Sequence, residues 1–442
     1  MQSQRIHKMN LKPTKPLSGI IELLPAEQRC FDECARRMQD VLRRAGFVAL
    51  GMPTMERAEV LTDKENWDEI TTQMYLFEKG DTKIGLRYDG TIGLARYVAG
   101  HANDLAFPFR AMQLAKNFRA ERAQRGRYRE FWQMDADILG INSLSTNYYA
   151  EIIAVFSMAL SSIQEFIGPH NIRIGARNFW DAVFEHMGLD DDTARQVFVL
   201  IDKKEKITPA EFDAEMRKIL TDDVKADDIL SIFSNGYAAM AGKSEALDKA
   251  GREIDEFMEI MDAMGVKNAK IDLSIMRGHG YYTGFVFETF LDNHPDLGSI
   301  CGGGGYENLA SKFSKTKIVG FGGAIGVSRM LVPLIEEGKI DLAPFQAAAD
   351  VAVLVMNQDC VAYAIKIVSD LRAAGVVAAP FLDVDKKFKN QMEFADKINC
   401  KYSIIIGEDE VKNNTAMIKN MDSGEQTNSQ LHNVINVIKS KI

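Results

Sequence analysis

The sequence predicts an α/β protein: an antiparallel sheet core with flanking helices, a mainly helical stretch in mid-chain, and a C-terminal unit of alternating strands and helices. Three observations carry this. Residues 111–118 and 128–139 are two strand-length runs around an Arg-rich turn, the pattern of an antiparallel hairpin. From Asp190 to about Gly265 the composition turns charged and helix-forming, with no strand pattern. Beyond 349, ADVAVLVM, a helix from Cys360, VVAAPFL, a helix through 386–398, YSIIIGE, TAMIKNM and a last helix read β-α-β-α-β-β-α. Such alternation implies a layered fold on a mostly parallel sheet.

Bulk composition sets the outer limits. At 442 residues the chain accommodates two to four domains, each with its own core. Apolar content of 46% and charged content of 26% fit an ordinary soluble protein. No apolar run approaches the roughly 20 residues that span a bilayer, so no membrane partner is expected. Residues 1–17 are basic without a following apolar segment and read as a flexible lead-in rather than a secretory signal. The five cysteines are odd in number, scattered and without a CxxC pair. A reduced, cytoplasmic protein without structural zinc is expected. The net charge of −9 argues against bulk electrostatic binding of nucleic acid, so an RNA partner must meet local basic patches.

In chain order, Pro25 to Ala45 reads as an amphipathic helix, with Phe31, Cys34, Met38 and Leu42 at 3/4 spacing. Gly46 stops it, and FVALGMP reads as a strand ending at Pro53. Two short strands follow, around MYLFEKGD and TKIGLRYD. Asp89, Gly90 and Thr91 then form a turn before a helix, where an Asp or Thr takes free amides. In the second hairpin strand Phe131, Gln133, Asp135 and Asp137 share one face, while Trp132, Met134, Ala136 and Ile138 share the other. One face is core-directed. The opposite face carries a ring, an amide and two carboxylates. Residues 116–130 hold six cations against Glu121 and Glu130, and the arginine fork suits phosphate. Residues 144–166 read as a helix, NIRIGA as a strand, and a further helix runs through His186. Thr208, Pro209 and Glu211 form a capping box with proline at the first helical position. Residues 271–290 return to strand character. SICGGGGYENL reads as a glycine-rich loop that lets backbone approach a ligand. IVGFGGAIGVSRMLVPLIEE reads as a strand, a glycine turn and a helix carrying Arg329.

Several of these stretches resemble class II aminoacyl-tRNA synthetases, in the form of the histidyl-tRNA synthetase family. FRAERAQRGRYREFWQMDADILG resembles motif 2, and the helix, strand and proline of residues 25–53 resemble motif 1. LRYDGT is similar to the family's amino-group site. RGHGYYTG resembles the histidine signature RGLDYYTG, departing at His279 and Gly280. SICGGGGYENL resembles the second signature, SxxGGRYDxL, with Gly305 and Glu307 in place of Arg and Asp. The Arg329 segment resembles motif 3, with Ser328 where many relatives have Glu.

The resemblance implies ATP-dependent attachment of L-histidine to its tRNA through a histidyl-adenylate, with ATP and Mg2+ required and no protein metal site. By position it gives Arg119 and Arg277 to the α-phosphate, Arg127 and Glu121 to the triphosphate and adenine side, Phe131 to the adenine ring and Arg329 to the far phosphate. It gives Asp137, Tyr281 and Tyr282 to the imidazole, and Asp89, Gly90, Thr91 and Gln133 to the amino end. It implies a class II core at 18–170 and 266–336, and a helical insertion at 171–265 that reaches the tRNA acceptor arm. A linker at 337–348 and an anticodon-binding domain at 349–442 follow, and motif 1 implies a homodimer. Competing readings are a non-catalytic paralogue serving as regulatory subunit of ATP phosphoribosyltransferase, a class II synthetase for another amino acid, and an RNA-binding protein without activity.

Overall fold

The first helix, Pro25–Arg44, forms as its apolar spacing requires: Cys30, Cys34, Met38 and Leu42 lie on one stripe and are fully buried. Glu27 in its first turn and Arg43 and Arg44 in its last complement the helix dipole. The chain is described here by a computed structural model covering residues 13–62, 71–276, 282–307 and 310–442. It divides into two compact units, one built on residues 34–340 and the other on 341–442 together with 23–33.

The strands of the first unit are β1 (Val48–Ala49), β2 (Met55–Arg57), β3 (Leu76–Lys79), β4 (Thr82–Leu86), β5 (Phe109–Phe118), β6 (Glu130–Ile141), β7 (His170–Ala176), β8 (Ala269–Ile271), β9 (Tyr282–Leu291), β10 (Cys301–Tyr306) and β11 (Ile318–Ile325). Eight of them make one sheet, in the order β1-β5-β6-β11-β10-β9-β7-β8. The six inner strands pair antiparallel, and β1 and β8 add parallel at the two edges. The expected strand FVALGMP contracts to the two residues of β1. The four glycines read as a loop form most of β10, paired on both sides.

One face of this sheet packs on the helix Thr146–Ser161, whose Ile152, Ile153, Val155 and Phe156 are buried. Met134, Ala136 and Ile138 of β6 point into that core at 0% exposure, as their alternation predicts. Aromatic packing continues it: Tyr149 stacks on Phe321 at 4.2 Å and Phe156 lies 5.8 Å from Phe287. The other face is the one that carries polar groups.

Residues 177–263 form helices Arg177–Met187, Asp191–Asp202, Pro209–Ile219, Asp223–Asn235 and Glu245–Ala263. Their starts are set by side-chain caps at Asp190, Thr208, Asp222 and Ser244, and the Thr208–Glu211 capping box is present. The insertion boundary expected at 171 falls inside β7, a strand of the sheet, so the helical segment begins at Arg177.

In the second unit β12 (Val351–Val355), β13 (Ala378–Phe381), β14 (Tyr402–Ile406), β15 (Thr415–Asn420) and β16 (Gln426–Gln430) form a sheet of order β13-β12-β14-β15-β16. The first three strands are parallel and the last two antiparallel, so the sheet is mixed rather than mostly parallel. A short helix, Glu408–Asn413, and β16 are additions to the expected order. Among the described residues no helix is long and apolar enough to cross a membrane.

Candidate active site

The polar face of β6 is the floor of the site. The pairing register sets a row across six strands: Gln113, Asp135, Ala324, Gly302, Glu288 and Arg173. Since paired residues share a face, this row and its neighbours define what a ligand meets. Two adjoining clefts open above it. One, of about 380 Å³, is lined by Tyr88, Arg119, Glu121, Arg127, Phe131, Gln133 and Arg329. The other, of about 770 Å³, is lined by Asp89, Thr91, Arg119, Arg127, Gln133, Asp135 and Glu288, with Asp202, Lys203 and Lys206 of the helical segment opposite.

The basic turn sorts into two classes. Arg119 points into both clefts, its guanidinium 4.3 Å from the Tyr88 ring centroid and 5.2 Å from that of Phe131. Glu121 lies between Arg119, at 3.9 Å, and Arg127, at 3.5 Å. Arg329 is anchored by two hydrogen bonds to the Leu297 carbonyl, at 3.1 and 2.8 Å, and burial, then Arg127, lowers its pKa. Three neighbours are structural. Lys116 pairs with Glu130, Arg125 with Asp296 and Glu337, and Arg129 donates to the Glu121 and Ser18 carbonyls.

The amino-end residues assemble at the start of the helix Thr91–Gly100. Asp89 Oδ1 accepts from the Ile92 amide at 3.1 Å, and Gln113 Nε2 donates to the Gly90 carbonyl at 3.2 Å. Gln133 Nε2 donates to Asp135 Oδ1 at 2.6 Å.

Asp137 stands apart. It lines neither cleft: it is 2% exposed and accepts a 2.9 Å hydrogen bond from the Tyr306 hydroxyl. Burial first, then Asp135, pushes its carboxyl well above the usual range. Two glycines of β11 make room for the pair. A Cβ at Gly322 would lie 1.8 Å from Asp137 Oδ1, and one at Gly320 would lie 2.4 Å from the Tyr306 ring. Two tyrosines are expected beside Asp137. Tyr282 pairs through its backbone with Tyr306, while Tyr281 and Arg277 lie outside the described residues. Tyr306 is not among the expected site residues; its sequence signal is its place directly after the four glycines of SICGGGGYENL. Period 2 puts Asp135 on this face, and nothing in the sequence gives it a role.

Two departures from the motif patterns have structural uses. Ser328 is fully buried and accepts the Trp132 amide at 2.9 Å, tying the motif 3 helix to β6. Glu307 pairs with Lys317 at the surface.

The family model described as "Histidyl-tRNA synthetase" matches residues 19–330, well over half the chain. The chain belongs to the histidyl-tRNA synthetase family. A second model, "Anticodon binding domain", matches residues 350–441. The histidine–tRNA ligase of Clostridium tetani is 36% identical over 437 residues, covering 96% of this chain and 98% of that protein. The crystal structure of histidyl-tRNA synthetase from Nostoc sp. PCC 7120 superposes with a TM-score of 0.84 at 29% identity, over 98% of this chain and 100% of that one. An ATP phosphoribosyltransferase regulatory subunit/histidyl-tRNA synthetase from Bacillus halodurans C superposes at 0.71 and 20% identity, over 86% of this chain and 97% of that one, a likeness of fold alone. In this member of the histidyl-tRNA synthetase family, motif 2 is the β5–β6 hairpin and motif 3 is β11 with the helix Val327–Glu336.

Proposed function

We infer that this protein is an ATP-dependent ligase that attaches L-histidine to its tRNA through a histidyl-adenylate. The observation that carries the reading is the continuity of the two clefts through Arg119 and Gln133, with phosphate-gripping arginines at one end and the Asp89–Thr91 turn at the other. The amino-acid carboxylate is ionised at neutral pH, so it attacks the α-phosphorus of ATP in line and pyrophosphate leaves without a general base. Catalysis is then positioning and charge stabilisation. In this reading Arg119 holds the α-phosphate, and Arg277 meets the charge developing there. Arg127 and Arg329 take the departing pyrophosphate, Phe131 packs against adenine and Glu121 faces the adenine side. Asp89, Gly90, Thr91 and Gln133 hold the α-ammonium, and the Asp137–Tyr306 pair meets the imidazole, a role the motif resemblance also gives to Tyr281 and Tyr282. In the second step the terminal ribose hydroxyl of the tRNA attacks the adenylate carbonyl and AMP leaves.

Among the described residues no three His, Cys, Asp or Glu side chains cluster to hold a metal ion. Magnesium that keeps its waters and sits on substrate phosphates needs only one or two carboxylates. Glu121 and Glu288 face the clefts and fit that need, and the ion would neutralise phosphate charge there.

A homodimer fits the exposed apolar side chains of the first unit: Val48 of β1, Met55 of β2, and both Leu76 and Phe77 of β3. We place the enzyme in the cytoplasm with its tRNA, and assign residues 350–441 to anticodon binding. The regulatory-subunit reading is less well supported, since three arginines converge on one cleft and the second unit is present. The test is ATP–pyrophosphate exchange with each amino acid in turn. Exchange with histidine alone is expected, and exchange driven by another amino acid, or by none, overturns the reading.

A further inference from the structure

The site face holds one carboxylate that the reading above leaves without a task. Asp135 lies in β6 between Gln113 of β5 and Ala324 of β11, and is 2% exposed, yet it lines the larger cleft. Its Oδ1 is taken by Gln133, while its Oδ2 has no hydrogen-bond partner among the described residues. Asp89 repeats the arrangement: Oδ1 accepts the Ile92 amide, and Oδ2 is buried without a partner among the described residues. Buried carboxylate oxygens without donors are rare in folded proteins, because desolvation is left uncompensated. Two of them, on residues that line one cleft, call for a cationic donor with several N–H groups. Gly90 packs against this oxygen without crowding it, whereas a Cβ there would lie 2.7 Å from Asp135 Oδ2.

We propose that Asp135 is a second anionic anchor for the substrate α-ammonium group, which donates one N–H each to Asp89 Oδ2, Asp135 Oδ2 and Gln133 Oε1. The proposal rests on the histidine-activating reading and deepens it. The ammonium then meets two carboxylates, so an acid lacking the α-amino group is rejected for leaving both unpaired.

The proposal has a proton signature. Burial pushes the Asp135 carboxyl up to about 7; Asp89 also raises it, while Gln133, Arg87 and Arg119 pull it down. On the same sheet its charge in turn raises the Asp137 carboxyl and the Cys301 thiol, both pushed up first by burial. Across the cleft stand Asp202, Lys203 and Lys206, with Arg127 and Glu288 at its rim. Near pH 7 the free site therefore carries this proton part of the time. An ammonium bound at Oδ2 requires the ionised form, so binding expels the proton to solvent. Affinity for histidine rises as pH increases through about 7 and levels off above it.

The experiment is calorimetry on the full-length protein with L-histidine at pH 7, in two buffers of different ionisation enthalpy, on wild type and Asp135→Asn. A parallel titration uses 3-(imidazol-4-yl)propionate, which lacks the amino group. Wild type is expected to release a measurable fraction of one proton, and the variant to lose that release. At pH 8 Asp135→Asn is expected to bind histidine about tenfold more weakly, as for loss of one charge-assisted hydrogen bond, with no weakening for the imidazolylpropionate. Equal weakening for both ligands would make Asp135 merely structural and overturn the proposal. Wild type that binds histidine without releasing a proton also overturns it, whether or not the variant folds. Wild type that binds no histidine overturns the substrate assignment and this proposal with it.

Discussion

Tyr306 shows how much one hydroxyl can decide. It holds the Asp137 carboxyl from one side, and removing it leaves a buried acid without its donor. An unpaired buried polar group costs about 1–3 kcal/mol. Tyr306→Phe is therefore expected to weaken histidine binding about tenfold, with ATP binding unchanged, in separate calorimetric titrations. Equal histidine affinity in the variant would make the pair a structural clasp. Two arginines of one loop give a sharper contrast. Arg119 lies between two rings in the cleft, whereas Arg125 pairs with Asp296 and Glu337 at the surface. Loss of a preorganised cation at the reacting phosphate costs about 10²–10³-fold in rate. An exposed ion pair is worth at most about 1 kcal/mol. Arg119→Ala should thus abolish most pyrophosphate exchange while Arg125→Ala leaves it within severalfold. Comparable losses in the two would mean that the turn acts as one electrostatic patch.

At the level of elements, β11 is a mould. Its Gly320 and Gly322 receive Tyr306 and Asp137, so Gly322→Ala forces a methyl into the carboxylate. Overpacking of this kind costs about 1–3 kcal/mol. Urea denaturation of Gly322→Ala should show that loss, accompanied by weaker histidine binding; an unchanged midpoint would mean the sheet yields freely. The same elements show what could be read in advance. The hairpin was legible because a strict alternation over 128–139 admits only one partition of faces. The Thr208 cap was legible because its chemistry is local. β10 was not: glycine carries no strand preference, and only its two neighbours, distant in sequence, make it a strand. For the same reason the Asp137–Tyr306 pair, 169 residues apart, was visible only as two separate motifs.

For the whole molecule, the buried carboxyls set a pH dependence. Asp135 and Asp137 both hold protons in the folded state that the unfolded chain gives up near pH 4. The native state then binds more protons, so stability falls as pH rises from about 4 to about 7. For Asp135, a displacement from 3.8 to about 7 corresponds to roughly 4 kcal/mol. Asp135→Asn should flatten the decline of the urea midpoint across that window; a parallel decline would assign the effect to other groups. Association belongs to this scale too. If the apolar side chains of β1 to β3 are covered by a second copy, Phe77→Asp should shift sedimentation from dimer to monomer at micromolar concentration. Wild type that is already monomeric would refute the dimer.

The floor beneath the substrate has little freedom to change. Gly303 and Gly323 both border the larger cleft, and a Cβ on either would fall 2.1 Å from the Gly322 carbonyl oxygen or 2.8 Å from the Phe287 ring. An inhibitor laid on this backbone would press on positions where every substitution, not only a bulky one, strains the sheet. Resistance by mutation is then confined to the rim, at residues such as Phe198 and Val199 of the helical segment, where side chains can vary without disturbing the strands.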